Sequence, residues 1–283
     1  MNRSIMFVPA NAPDKFRKAQ DGAADALILD LEDSVPRQSK DAARQAVPQL
    51  LAAASRRQQL WVRVNDVGSG LLLADLAAVV PAQPFGIVLP KCQGVQTLDL
   101  VCHYLDAFEA SHGITLGQTK ILAIVTETAQ SLFHLGEYHD RSGRLWGLTW
   151  GAEDLGADVG AVSNKSGSQY TEPFRLARSL CLFAAAAAGV RAIDAVCVSL
   201  SDQSLVRTEA QEAFRDGFVG KMAIHPAQLG PINEAFTYSA AQVAWAQQVV
   251  AAFAEQPGRG ALQVDGKMID EPHLKMARRI LAL

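Results

Sequence analysis

Two acids stand out by where they fall: Glu127, in a TET segment, and Asp154, in GAEDLG, close two successive apolar runs. On neighbouring strand ends they would set two hard oxygen donors a few ångströms apart. Mg2+ is commonly held that way, by one or two carboxylates together with water and substrate oxygens. No His or Cys flanks either acid, so the pattern does not suit zinc. The competing reading pairs one of them with Lys91 or Arg63 as a structural ion pair. Arg63, in WVRVN, carries a planar fork suited to a carboxylate or a developing oxyanion. Buried at a strand end, it would also need a partner, and Asp30, Glu32 and Asp33 in LDLEDSV are at hand. The two roles are compatible. His225, in GKMAIHP, reads as a hydrogen-bonded residue that closes a strand rather than as a base or ligand. Asp270, before Glu271 and Pro272, reads as a helix N-cap. Gly147, Gly151 and Gly156 permit tight turns beside Asp154, but no GKS or GKT follows to make a phosphate loop. The polar stretch 163–171 is expected to be a flap or an inert surface loop.

Such residues need strands to carry them, and the chain supplies a repeating pattern of short β-rich apolar runs followed by stretches with helical spacing. The runs cover 5–9, 26–33, 60–65, 86–91, 121–127, 145–154, 192–199 and 222–225, with helices expected at 13–22, 40–57, 71–80, 95–113, 128–137, 173–189 and 203–217. Alternation of this kind implies a parallel sheet covered by helices. Eight units favour closure into an α/β fold of the (β/α)8 TIM-barrel type, in which strand C-terminal ends surround one mouth. An open Rossmann-like sheet is the weaker choice, because no GxGxxG follows the first run. A helix is expected near 240–255 and a turn at 256–260, so the barrel domain is placed at 1–256. The remaining 257–283 exceed what eight units need and form a C-terminal helical extension, either a packing helix or a lid.

With 19% charged and 49% apolar residues among 283, the chain is neither disordered nor of low complexity. It is long enough to bury a core without disulfides or a structural metal. A net charge of -3, with no Lys/Arg cluster, argues against nucleic acid as a partner. The four cysteines are dispersed, as expected of free thiols in a reducing, cytoplasmic setting. The longest apolar run, 180–190, is about half a membrane span, and the N-terminus does not read as a signal peptide.

The ordered set RSIMFVP, LDLEDSV, WVRVN, LPK, TET, GAEDLG, GKMAIHPAQ and MIDEPHL resembles the citrate lyase β-subunit-like branch of the HpcH/HpaI aldolase superfamily. The resemblance runs from Arg3 to Leu274. It implies a TIM barrel, a homotrimer, and Mg2+ on Glu127 and Asp154. It further implies that Arg63 contacts the ketoacid, that Gly151 and Ala152 bind substrate, and that Asp270 reaches a neighbouring subunit's site as acid/base. The implied reaction cleaves or forms a 3-hydroxyacyl-CoA thioester such as citryl-, malyl- or citramalyl-CoA, giving an acyl-CoA and a 2-ketoacid. The alternatives are a CoA-independent 4-hydroxy-2-ketoacid aldolase, a malyl-CoA thioesterase, or a non-catalytic subunit of a lyase complex. One departure is visible: Ala10 stands where many relatives have Gly.

Overall fold

The computed structural model describes residues 2–55, 58–138 and 143–282. Eight parallel strands close into a barrel. They are β1 (Ser4–Pro9), β2 (Ala26–Asp30), β3 (Gln59–Arg63), β4 (Gly86–Leu89), β5 (Lys120–Ile124), β6 (Leu145–Thr149), β9 (Arg191–Asp194) and β10 (Gly220–Ala223). Two short strands, β7 (Lys165–Ser166) and β8 (Gln169–Tyr170), pair as a hairpin between β6 and β9. Around the barrel the order is β1-β10-β9-β6-β5-β4-β3-β2, so β5 and β6 are neighbours, as are β2 and β3. Every expected run overlaps one of the eight strands. All but the first overreach at their C-terminal ends, because the chain leaves the sheet there and enters the polar loops of the mouth.

Between the strands lie α1 (Pro13–Gln20), α2 (Lys40–Ala52), α3 (Leu72–Val79), α4 (Val95–Ser111), α5 (Ala129–Leu132), α6 (Ala152–Asp158), α7 (Glu172–Ala187), α8 (Gln203–Asp216) and α9 (Leu229–Ala235). The helix expected at 40–57 ends at Ala52, and residues 56 and 57 lie outside the described residues. The one expected at 128–137 is a single turn capped by Thr128, followed by a 3-10 turn at Leu135–Tyr138. No helix among the described residues is long and apolar enough to cross a membrane.

Side-chain alternation along the strands divides the core in two. Met6, Val8, Leu27, Leu29, Val62 and Ile87 pack beneath the helices, whereas Ile5, Ile28, Trp61, Val88, Leu122, Ile193 and Met222 fill the barrel interior. Trp61 meets Phe85 and Trp146 edge-to-face at centroid distances of 4.9 and 5.0 Å. Gly86 is required there, because a Cβ would stand 2.6 Å from the Trp61 ring.

The chain separates into two compact units, one of Asn2–Phe236 and one that begins at Thr237 and runs to the C-terminus. Helix α10 (Ala240–Glu255), placed with the barrel on sequence, therefore belongs to the C-terminal unit. Its Ala246 and Val249 pack with Leu262, Ile269, Leu274 and Ala277 of the tail. The tail is a hairpin, β11 (Ala261–Val264) with β12 (Lys267–Asp270), followed by α11 (Glu271–Leu281). Asp265 and Gly266 join its strands with φ of 48° and 77°, the backbone that a two-residue hairpin turn requires.

Candidate active site

At the C-terminal end of the barrel lies a cavity of about 380 Å3 lined by Asp30, Arg63, Glu127 and Asp154. Glu127 stands three residues beyond β5, and Asp154 occupies the first turn of α6, which follows β6. Thr126 ties the two loops together, since its Oγ1 accepts from Gly151 N at 3.0 Å. Glu127 is held by the Lys91 backbone N–H, which donates to Oε2. Lys91 adopts a left-handed backbone, φ 50°, just after β4. Its Nζ lies 2.6 Å from Glu32 Oε1 and 3.2 Å from Asp154 Oδ1. The ion-pair reading thus holds for Asp154, in the same place as the two-acid reading.

Gly151 has a steric reason to be glycine: a Cβ there would stand 2.9 Å from Glu127 Cγ. Gly151 and Ala152 both line the cavity.

Arg63 and Asp30 are register partners on β3 and β2, which turns their side chains to the same side. Nε and Nη2 each lie 2.7 Å from one carboxylate oxygen of Asp30. Nη1 is 2.9 Å from Glu32 Oε2 and 3.7 Å from Asp33, while the guanidinium carbon sits 4.7 Å over the Phe7 ring. Asp30 also accepts from the backbone N–H groups of Glu32 and Ser34, which shapes the loop after β2.

Burial works to raise the Asp30 carboxyl, but the hydrogen bonds and charge of Arg63 outweigh it and hold it below the usual range. Glu127 goes the other way. Burial, with the charges of Glu32 and Asp154, pushes it up to about 8 against the backbone N–H and the charge of Lys91. Glu32 is lifted by burial to about 7 in spite of Arg63 and Lys91. The mouth gathers more carboxyl groups than Arg63 and Lys91 can pair.

A divalent cation fits this arrangement. Among the described residues no group of three or more His, Cys, Asp or Glu side chains is gathered for a metal, so there is no all-protein cage of the zinc kind. Two carboxylates facing an open cavity are what Mg2+ uses when it retains water and shares substrate oxygens.

The other expected residues fall as follows. His225 caps a 3-10 turn at Pro226–Gln228, its Nδ1 accepting from Ala227 N at 3.2 Å, in keeping with a strand-closing role. Ala10 is fully buried, and among the described residues it is not one of the positive-φ positions, so the turn after β1 does not need glycine. Asp270 sits in the C-terminal unit at the N-cap of α11, Oδ1 lying 2.5 Å from His273 Nδ1. The 163–171 stretch is the β7–β8 hairpin, tied down by Lys165 Nζ to Glu209 Oε1 and by Tyr170 against Trp150. Thr126, Lys91 and the apolar cavity residues were not singled out from sequence as functional. For Lys91 the signal was its place at a strand end; for Thr126 it was adjacency to Glu127.

Fold and mouth together define a closed parallel barrel with a two-carboxylate site at its C-terminal face, where such barrels carry their chemistry. The chain belongs to the HpcH/HpaI aldolase/citrate lyase family, whose pattern it matches over residues 3–226. It is 32% identical to the mitochondrial citramalyl-CoA lyase of Rattus norvegicus, over 99% of this chain and 85% of that one. It is 34% identical to a (3S)-malyl-CoA thioesterase of Cereibacter sphaeroides, over 99% and 93% of the two chains. Among solved structures, CitE from Mycobacterium tuberculosis in complex with magnesium, acetoacetate and coenzyme A superposes with a TM-score of 0.80 at 32% identity, covering 99% of this chain and 97% of that one.

Proposed function

We propose that this protein is a Mg2+-dependent carbon–carbon lyase that cleaves, or in reverse forms, a 3-hydroxyacyl-CoA thioester such as citramalyl-, malyl- or citryl-CoA. The products are an acyl-CoA and a 2-ketoacid. The observation that carries this reading is that Glu127 and Asp154, from adjacent strand ends, line one cavity with Arg63. The names of the relatives and the magnesium and coenzyme A in the CitE complex support it.

Glu127 and Asp154 are the residues that would hold the ion, which when bound supplies Lewis-acid polarisation and a template for substrate oxygens. Arg63, fixed by Asp30 and Glu32, presents its guanidinium in the cavity where the substrate hydroxyl becomes a carbonyl. Preorganised donors of that kind are worth about two to three orders of magnitude in rate. When the carbon–carbon bond breaks, its electron pair stays on the carbon next to the thioester, and Asp270 delivers the proton that carbon takes up. In the proposed cytoplasmic homotrimer, the extension carrying Asp270 acts as a lid over a neighbouring subunit, and His273 fixes the carboxylate's orientation. Gly151 and Ala152 border the bound ketoacid. Thioester hydrolysis after condensation is the second reading, favoured by the thioesterase among the relatives.

The test is incubation with Mg2+ and a panel of citramalyl-, malyl- and citryl-CoA, followed by detection of acetyl-CoA and the matching ketoacid. Asp270→Asn should abolish turnover while Mg2+ and ketoacid binding persist; full turnover in that variant removes Asp270 from the mechanism.

A further inference from the structure

The rim of the cavity is divided by chemistry. In the order of the barrel, β6 and β5 lead to the acids Asp154 and Glu127, β4 leads to Lys91, and β3 with β2 carry the Arg63–Asp30 pair. The remaining arc, β1, β10 and β9, brings Phe7, Met222, Ile224, Ala195 and Val196 to the cavity, and none of these is charged. Ile124 of β5 adds to the same apolar surface.

The charged residues of that arc are spent elsewhere. Lys221 of β10, 1% exposed, lies next to the inward Met222 and turns to the opposite side of the strand, where its Nζ donates to Asp194 Oδ2 at 2.7 Å and to Ala195 O at 2.8 Å. Among the described residues lining the cavity, Arg63 is the one cation, and three carboxylates already surround it.

From this we infer, resting on the lyase reading above, that the site is built for 2-ketoacids whose carbonyl carbon bears an uncharged alkyl group, methyl or ethyl. It discriminates against a second carboxylate. The ketoacid's own carboxylate would be met by Arg63 and by the cation that Glu127 and Asp154 would hold. A second carboxylate, as in oxaloacetate, would be desolvated against Ala195, Val196 and Met222, with Arg63 on the opposite arc and already paired to Asp30 and Glu32, at a cost that poorly compensated burial of charge makes large. An alkyl group gains from the same surface. In the cleavage direction the preferred thioesters carry methyl or ethyl on the carbon that bears the hydroxyl and carboxylate. Cleavage breaks the bond from that carbon to the thioester's methylene; the hydroxyl loses a proton, the methylene gains one, and acetyl-CoA leaves with pyruvate or 2-oxobutyrate.

The experiment compares kcat/KM of the Mg2+-loaded protein for citramalyl-CoA, its ethyl homologue, malyl-CoA and citryl-CoA. Calorimetric titration with pyruvate, 2-oxobutyrate and freshly dissolved oxaloacetate runs in parallel. The methyl and ethyl thioesters should exceed citryl-CoA by about a hundredfold or more, and malyl-CoA by about tenfold, as single-group discrimination in an apolar pocket allows. Pyruvate and 2-oxobutyrate should bind more tightly than oxaloacetate. Citryl-CoA turned over as well as citramalyl-CoA, or oxaloacetate bound as tightly as pyruvate, overturns the inference. If no thioester is cleaved yet the ketoacids keep the stated order, the lyase reading fails and the pocket assignment stands. Ile224, 38% exposed at the rim, tolerates a charge, so Ile224→Arg should narrow the gap between citryl- and citramalyl-CoA by about tenfold. An unchanged gap contradicts the assignment of the apolar arc.

Discussion

Glu127, proposed above as a ligand for the cation, has surroundings that suit that role. It is buried, receives one backbone N–H, and sits among other carboxylates, so its charge is poorly compensated by the protein. The absence of a side chain at Gly151 leaves room for it. Gly151→Ala should therefore displace the carboxylate and raise the Mg2+ dissociation constant about 10- to 100-fold, the range typical when a ligand's support is lost. Calorimetry on the folded variant measures this, and an unchanged constant would show that Glu127 does not need the space. The acids and Arg63 were legible in the sequence because charge at the end of a strand-like run is conspicuous. The apolar cavity wall was not, since Met222 and Ile124 read as ordinary core until the barrel shows which residues border open space.

Strands and loops determine whether those side chains stay in place. Lys221 and Asp194, on β10 and β9, form a buried pair that also takes the Trp150 indole N–H at 2.7 Å, so the pair holds a cavity-lining residue. Lys221→Met leaves Asp194 with Arg178 as its remaining cation among the described residues, takes a partner from Glu209, and should cost about 3 kcal/mol of unfolding free energy in denaturant titration. A loss below the noise of that measurement would show that Arg178 suffices. Glu109 of α4 plays a similar part on the other side of the barrel. Burial works against its ionisation, yet Arg144 and the N–H groups of Thr119 and Gly117 bring it down to about 2. A depressed carboxyl stabilises the fold above its unfolded pKa near 4.5, and that contribution fades as pH falls towards 2. Glu109→Gln should flatten the acid side of the stability curve over that window; an unaltered acid limb would contradict the assignment. All eight barrel strands could be read from sequence, because buried parallel strands appear as continuous Val/Ile/Leu runs. The β11–β12 hairpin was missed, although Asp265-Gly266 between alternating residues is a recognisable turn signal. Its strands are four residues each and sit in a tail read as helical.

The chain as a whole comprises a complete barrel and a C-terminal unit with its own apolar cluster, which carries Asp270. If that unit serves a neighbouring copy, two inactive variants should restore each other. In a 1:1 mixture of Asp270→Asn and Glu127→Gln chains, refolded together, sites combining an intact mouth with an intact Asp270 would form at about a quarter of the wild-type number, the result of random assortment in a ring. No recovered activity would place Asp270 over its own barrel or outside the reaction. Beneath every step lies the pair Glu127 and Asp154. The most direct test is calorimetric titration of Mg2+ into the wild-type protein and into Glu127→Gln and Asp154→Asn: one ion per chain is expected for the wild type and none for either variant, whereas binding that survives both substitutions would contradict the account.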